Sequence, residues 1–325
     1  MAMATQMVGK LANDIVTSLK VKTKQNMMEA PTANVEAYEY YLQGMYKWKH
    51  SDNMEDNEIA RGLLQKAIEL DDNLIVAKVK IGWTYYVMGD FDKAMEIYTP
   101  ALKQSEELGD KSGIGMSLNN IGIIYKVKGD LDKAMDYYER SLKILEDLGD
   151  RHLMAATIHN IGEIYLTQGE YDTALDYNTH SLRITEELGY KIGKGITLQS
   201  IGTVYYNKSE NEKAVEYLEK SLAIHNEIGF KGTELSTTIY LYITYKHLGK
   251  EYDEKEIHTL IKEYWEDIGP ITNYRLFELL EDKSYLETAY NKVQEKASAM
   301  EEELSAKFLS YPIPKAIVEE WEKVK

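Results

Sequence analysis

Residues 120–150 read NIGIIYKVKGDLDKAMDYYERSLKILEDLGD, and residues 160–190 read NIGEIYLTQGEYDTALDYNTHSLRITEELGY. The second stretch restates the first at an offset of 40 residues (160 − 120). The same marks extend to either side: Ile81, Ile121, Ile161 and Ile201; Gly82, Gly122, Gly162 and Gly202; Tyr85, Tyr125, Tyr165 and Tyr205; Ala94, Ala134, Ala174 and Ala214. A fixed period of this length belongs to chains that stack one supersecondary unit upon another.

Each period holds two helical patterns, predicted over 112–128 and 131–148 in the quoted copy and separated by the Gly129-Asp130 pair. Glycine takes the left-handed conformation that closes a helix, and a following aspartate caps the next one through its carboxylate. The glycine of the first helix and the alanine of the second are expected to let two backbones approach, with the tyrosine three residues after the glycine filling the space beside them. One hairpin cannot cover the apolar surface this leaves, so each needs the next.

Leu118, Ile121, Gly122, Tyr125, Ala134, Tyr138 and Ser141 together resemble the signature of the tetratricopeptide-repeat family. The usual unit has about 34 residues, and the longer unit here resembles that of kinesin light chains. The resemblance implies an all-α, right-handed helix-turn-helix solenoid with N- and C-terminal capping helices. On that frame residues 1–30 are an N-terminal helix and linker, 31–72 a divergent first repeat around Gly44, Ala60, Leu64 and Ala67, and 73–230 four repeats in regular register. Residues 231–269 form a degenerate repeat, in which Tyr242 replaces the glycine and Glu254 the alanine. Residues 270–325 carry Leu286, Tyr290, Val293, Ala297, Met300, Leu304 and Phe308 at helical spacing, the pattern of amphipathic caps over an apolar end. A second resemblance, over residues 11–44, is to the region that follows catalytic domains in bacterial class III nucleotide cyclases. It implies a chain that is part of a longer signalling protein.

The net charge of −16 opposes nucleic-acid binding, which draws its affinity from cations neutralising phosphates. Lys10, Lys20, Lys22 and Lys24 are the one basic cluster and read as a solvated helix face. There is no cysteine, hence no disulfide framework and no thiolate site. No stretch approaches the roughly 18 apolar residues of a membrane span, so the expectation is a soluble cytoplasmic chain without stable membrane insertion.

Chemical motifs are weak. GYKIGKGIT at 189–197 has the glycines and lysine of a phosphate loop but not their spacing. His152 and His159 lie seven apart on one helix and His159 and Glu163 four apart, but two side chains within reach of a common ion do not suffice for a stable zinc site, which wants three or four ligands. Neither HExxH nor Gly-x-Ser-x-Gly occurs. The reading is therefore of a chain without catalytic or metal residues and without a cofactor.

The resemblance further implies that the first helices of the hairpins line a concave groove. Register then nominates Lys80, Trp83, Asn119, Asn120, Ile123, His159, Asn160, Glu163, Gln199, Ser200 and Thr203 as peptide-facing. Carboxamides suit such a place because they both donate to and accept from an extended backbone. The expected function is a non-catalytic scaffold binding a peptide or partner helix in that groove, with homo-oligomerisation left open. The alternative is a regulatory or dimerisation segment of a larger signalling enzyme, such as a bacterial nucleotide cyclase.

Overall fold

The computed structural model describes residues 31–49, 54–264 and 268–325. The expected N-terminal helix and linker, with its four lysines, lie outside the described residues. Every regular element among the described residues is an α-helix, and the fold class is an all-α repeat solenoid. The chain divides into two compact units, residues 1–124 and 125–325, each described here by itself.

The first unit contains α1 (Val35–Lys49), α2 (Met54–Leu70), α3 (Ile75–Val87), α4 (Phe91–Leu108) and most of α5 (Lys111–Lys128). Its core gathers Leu64, Ala67, Leu74, Ala77 and Ile81, with Tyr85 and Ile97 packed alongside. Glycine is required where the helices cross. A β-carbon on Gly82 would run into the ring of Tyr98, and one on Gly44 would meet Leu64 Cγ at 2.8 Å. The first hairpin therefore uses the same device as the regular repeats.

The second unit contains the end of α5, then α6 (Leu131–Leu148), α7 (Arg151–Gln168), α8 (Tyr171–Glu187), α9 (Lys191–Asn207), α10 (Asn211–Ile228), α11 (Glu234–His247) and α12 (Glu254–Tyr264). Four further helices follow: α13 (Pro270–Leu280), α14 (Lys283–Ser298), α15 (Glu302–Ser310) and α16 (Pro312–Val324). Gly162 lies against Asn178, and Gly202 against Leu218 with its β-carbon position 2.7 Å from Cγ. The glycine thus makes room for a side chain four residues beyond the alanine, which corrects the reading of a simple backbone-to-backbone approach. The repeating tyrosine does not fill that space either. Tyr125, Tyr165 and Tyr205 stack on Tyr137, Tyr177 and Tyr217, with ring centroids 5.3, 5.3 and 5.4 Å apart.

Local signals explain the hairpin ends. Gly129 has φ +88° and Gly169 φ +84°, and the Asp130 carboxylate accepts the Lys133 backbone N–H at 3.1 Å. At the corresponding break after α9 the left-handed residue is Ser209, at φ 60°. Within hairpins a serine of the second helix ties to the first: Ser181 Oγ donates to the Ala155 carbonyl at 2.9 Å, and Ser221 Oγ to the Gly195 carbonyl at 2.8 Å. The phosphate-loop-like GYKIGKGIT is the α8–α9 turn and the first turns of α9, where Gly195 makes way for the ring of His225.

The last four helices cover more than the end of the repeats. Helix α13 packs on α11, burying Leu276 and Leu279. The chain then returns along earlier turns. Met300 abuts Gly129, Pro312 Cγ lies 2.8 Å from the β-carbon position of Gly169, and Lys307 pairs with Asp132.

Candidate functional site

In the first unit the nominated residues are already engaged or partly covered. The Lys80 ammonium sits 3.9 Å from the centre of the Trp48 ring, and burial pushes it down to about 8. Trp83 packs on Tyr86 with centroids 4.8 Å apart. On α5, Asn119 is buried, while Asn120 and Ile123 are half-buried.

In the second unit the first helices bring several nominated residues into one polar run. His159, Asn160 and Glu163 lie half-buried on α7, and Ser200 and Thr203 are buried on α9. Ser200 Oγ donates to Glu163 Oε1 at 2.7 Å, linking two hairpins. Gln199 Nε2 donates to Ser236 Oγ at 3.1 Å, linking α9 to α11.

The key to this run is a residue the register did not nominate. Asn178, fully buried beneath Gly162, donates from Nδ2 to the Ala174 carbonyl at 2.9 Å. Its Oδ1 is therefore the acceptor facing His159 Nδ1 at 3.0 Å. That bond places a proton on Nδ1 and leaves Nε2 as an acceptor in the neutral ring. Burial holds His159 below its ordinary value of 6.5; nearby Lys126 adds to the depression, and Glu163 and the Asn178 bond oppose it. Neutral His159 and the Glu163 carboxylate together make a face that accepts hydrogen bonds.

The signal for Asn178 is present in the sequence. Its register carries Tyr98, Tyr138 and Leu218 in the other copies, so an amide there asks for a polar partner. Nothing local gives that partner as His159. Further along the register, Ile239, Tyr240 and Ile243 are buried, and Arg275 of α13 lies over the Tyr240 ring at 5.4 Å. The protein's own C-terminal segment thus covers the last positions of the row. Among the described residues no three His, Asp or Glu side chains converge as metal ligands, and no helix is long and apolar enough to cross a membrane.

Residues 73–147 and 153–227 each match the model of the tetratricopeptide repeat. These residues are tetratricopeptide repeats. This repeat is a protein–protein interaction fold. A Rap protein complexed with competence and sporulation factor superposes with a TM-score of 0.57 at 19% identity, over 92% of this chain and 80% of that one. A signal transduction ATPase with a tetratricopeptide-repeat sensor, from Pyrococcus horikoshii, gives a TM-score of 0.54 at 17% identity, over 94% of this chain. This chain spans about half of that protein, 49% of its length. The tetratricopeptide-like repeats of a putative kinesin light chain from Podosopora anserina match at a TM-score of 0.44 and 15% identity, over 58% of this chain and 92% of that one. The first two likenesses show the shared fold. A search of curated proteins finds no match. None of these findings supports the likeness of residues 11–44 to the region after cyclase domains.

Proposed function

We propose that this protein is a non-catalytic scaffold that holds a peptide or partner helix against the first helices of its second unit. The observation that carries this reading is the polar run from Asn178 through His159 to Glu163 and Ser200. It is buried at Asn178 and Ser200 and half-buried at His159 and Glu163, is rigidly oriented, and offers acceptors where an extended segment would present backbone N–H groups. Asn160 and Gln199 flank it and supply carboxamides. In the first unit, Lys80, Trp83, Asn119, Asn120 and Ile123 remain the register-equivalent candidates. That a Rap protein of the same fold was captured with competence and sporulation factor favours a bound partner.

A second reading, a regulatory segment of a larger signalling protein, draws support from the ATPase of which this chain spans about half. The primary test is selection of peptides on the immobilised protein, followed by affinity measurements with Glu163→Gln and His159→Ala. Loss of roughly tenfold in either variant, as expected for an unpaired donor in a half-buried site, places the ligand on this run. Peptides indifferent to both substitutions bind elsewhere and refute the reading.

A further inference from the structure

The stacked tyrosine pairs of the second unit are not alike. Over Tyr125 lies Lys133, at 5.3 Å from the ring centre, and over Tyr137 lies Arg140, at 5.2 Å. Two repeats on, Lys213 covers Tyr205 at 5.0 Å and Lys220 covers Tyr217 at 5.3 Å. Each of these cations also pairs with a carboxylate of its own helix start or turn. Lys133 meets Asp130 at 2.8 Å, Arg140 meets Asp136 at 3.4 Å, Lys213 meets Glu210 at 2.6 Å and Lys220 meets Glu216 at 2.6 Å.

The repeat between them keeps every part of this arrangement except the cations. Tyr165 stacks on Tyr177 at 5.3 Å, and Glu170 and Asp176 stand at the carboxylate positions. Thr173 and His180 replace the Lys and Lys/Arg of the neighbours. Among the described residues no cation lies over either ring, and neither Glu170 nor Asp176 forms an ion pair. A third carboxylate adds to the field: Glu139 stands in the register of Glu219, which accepts a hydrogen bond from Tyr245 at 2.6 Å. Burial, then Tyr177, Glu170 and Glu139, all push the Tyr165 hydroxyl up.

We infer that the Tyr165–Tyr177 pair, with Glu170 and Asp176, is a docking site for two cationic side chains of a basic partner segment. The fold itself shows what fits: a lysine or guanidinium set between one ring face and one carboxylate, four times over in the flanking repeats. Such a ring attracts a cation through its quadrupole, and the adjacent carboxylate adds charge pairing. In the neighbours the two cations are seven residues apart on one helix (140 − 133; 220 − 213), which is about 10 Å. A partner therefore presents Lys or Arg at positions i and i+7 of a helix, or at i and i+3 of a polyproline II segment, where three residues complete one turn and rise about 9 Å. The net charge of −16 favours the approach of such a segment. This site is separate from the polar run of α7 and α9, and uses charge where that run uses neutral acceptors.

The test uses a hexa-arginine peptide titrated by calorimetry into the whole protein. Thr173→Lys with His180→Arg supplies the missing cations from within and copies residues that the flanking repeats already tolerate, so folding is retained. Wild type is expected to bind roughly tenfold more tightly than this variant. The double variant Thr288→Lys with Ser298→Lys adds the same charge on exposed positions of α14 and is expected to stay within about threefold of wild type. Tyr165→Leu with Tyr177→Leu, which keeps the carboxylates, is expected to lose about fivefold or more. Equal losses in the two lysine-bearing variants would reduce the effect to bulk charge and overturn the proposal. Wild type that does not bind the peptide, or binding untouched by the leucine variant, overturns it as well.

Discussion

His159 donates from Nδ1 to Asn178 Oδ1 at 3.0 Å, and that one bond decides which nitrogen of the imidazole is left to accept. The expected tautomer at neutral pH is Nδ1–H. Long-range ¹H–¹⁵N correlation spectra would read it directly, and Asn178→Leu, which copies Leu218 of the next repeat, is expected to release the ring into a mixture of tautomers. An Nε2–H ring in the wild type would contradict the assignment.

The same residue carries a pH dependence. Burial lowers the His159 value in the folded chain from an unfolded 6.5, and burial also lowers that of His225. The unfolded chain then binds more protons, so the contribution is present above about 6.5 and is lost as pH falls through the folded value. Melting temperatures are expected to drop from pH 7 to pH 5, and His159→Gln to flatten part of that slope. A variant with the wild-type slope would remove His159 from the account.

The crossing glycines should not be equal. A β-carbon on Gly82 meets the rigid ring of Tyr98, whereas on Gly162 it meets the Asn178 amide at 2.9 Å. Gly82→Ala is expected to cost about 2–3 kcal/mol and Gly162→Ala about 1–2 kcal/mol, the latter also disturbing the His159 bond. Denaturant melts of the two variants test the order; the reverse order would mean that Tyr98 moves aside more easily than its burial implies.

Ser209 holds a left-handed backbone, φ 60°, at a break where the flanking hairpins use glycine. An L side chain in that region costs about 1–2 kcal/mol, so Ser209→Gly is expected to raise stability by about 1 kcal/mol. No gain in a urea melt would show that the serine recovers the cost elsewhere.

Arg275 anchors the C-terminal helices. It meets Glu278 at 2.5 Å with 6% of its side chain exposed and lies over the rings of Tyr206 and Tyr240 at 5.0 and 5.4 Å. Removing one partner of a buried pair costs about 3–5 kcal/mol. Because Glu278 keeps 26% exposure, Arg275→Leu is expected near the lower end, at about 3 kcal/mol. Hydrogen exchange should quicken first in α13 and at the Gly129 and Gly169 turns; exchange unchanged at those turns would mean that the returning helices hold without it.

The sequence alone determined the repeat, its period and its helix limits: 112–128 and 131–148 were expected, and Lys111–Lys128 and Leu131–Leu148 are found. It determined these because capping, left-handed glycine and apolar spacing act within a turn or two of the residue that carries them. It also placed His159, Glu163 and Ser200 on first helices, since register is a local property. Tertiary structure alone decided that Glu163 reaches Ser200, that Asn178 orients His159, that Tyr240 is covered by Arg275, and that Met300 and Pro312 return to Gly129 and Gly169. Those contacts join side chains from separate helices. An amphipathic pattern such as Leu286 to Phe308 specifies that a face must be buried without specifying against what, and the choice of partner follows from which glycine leaves room and which carboxylate faces a cation once the hairpins are stacked.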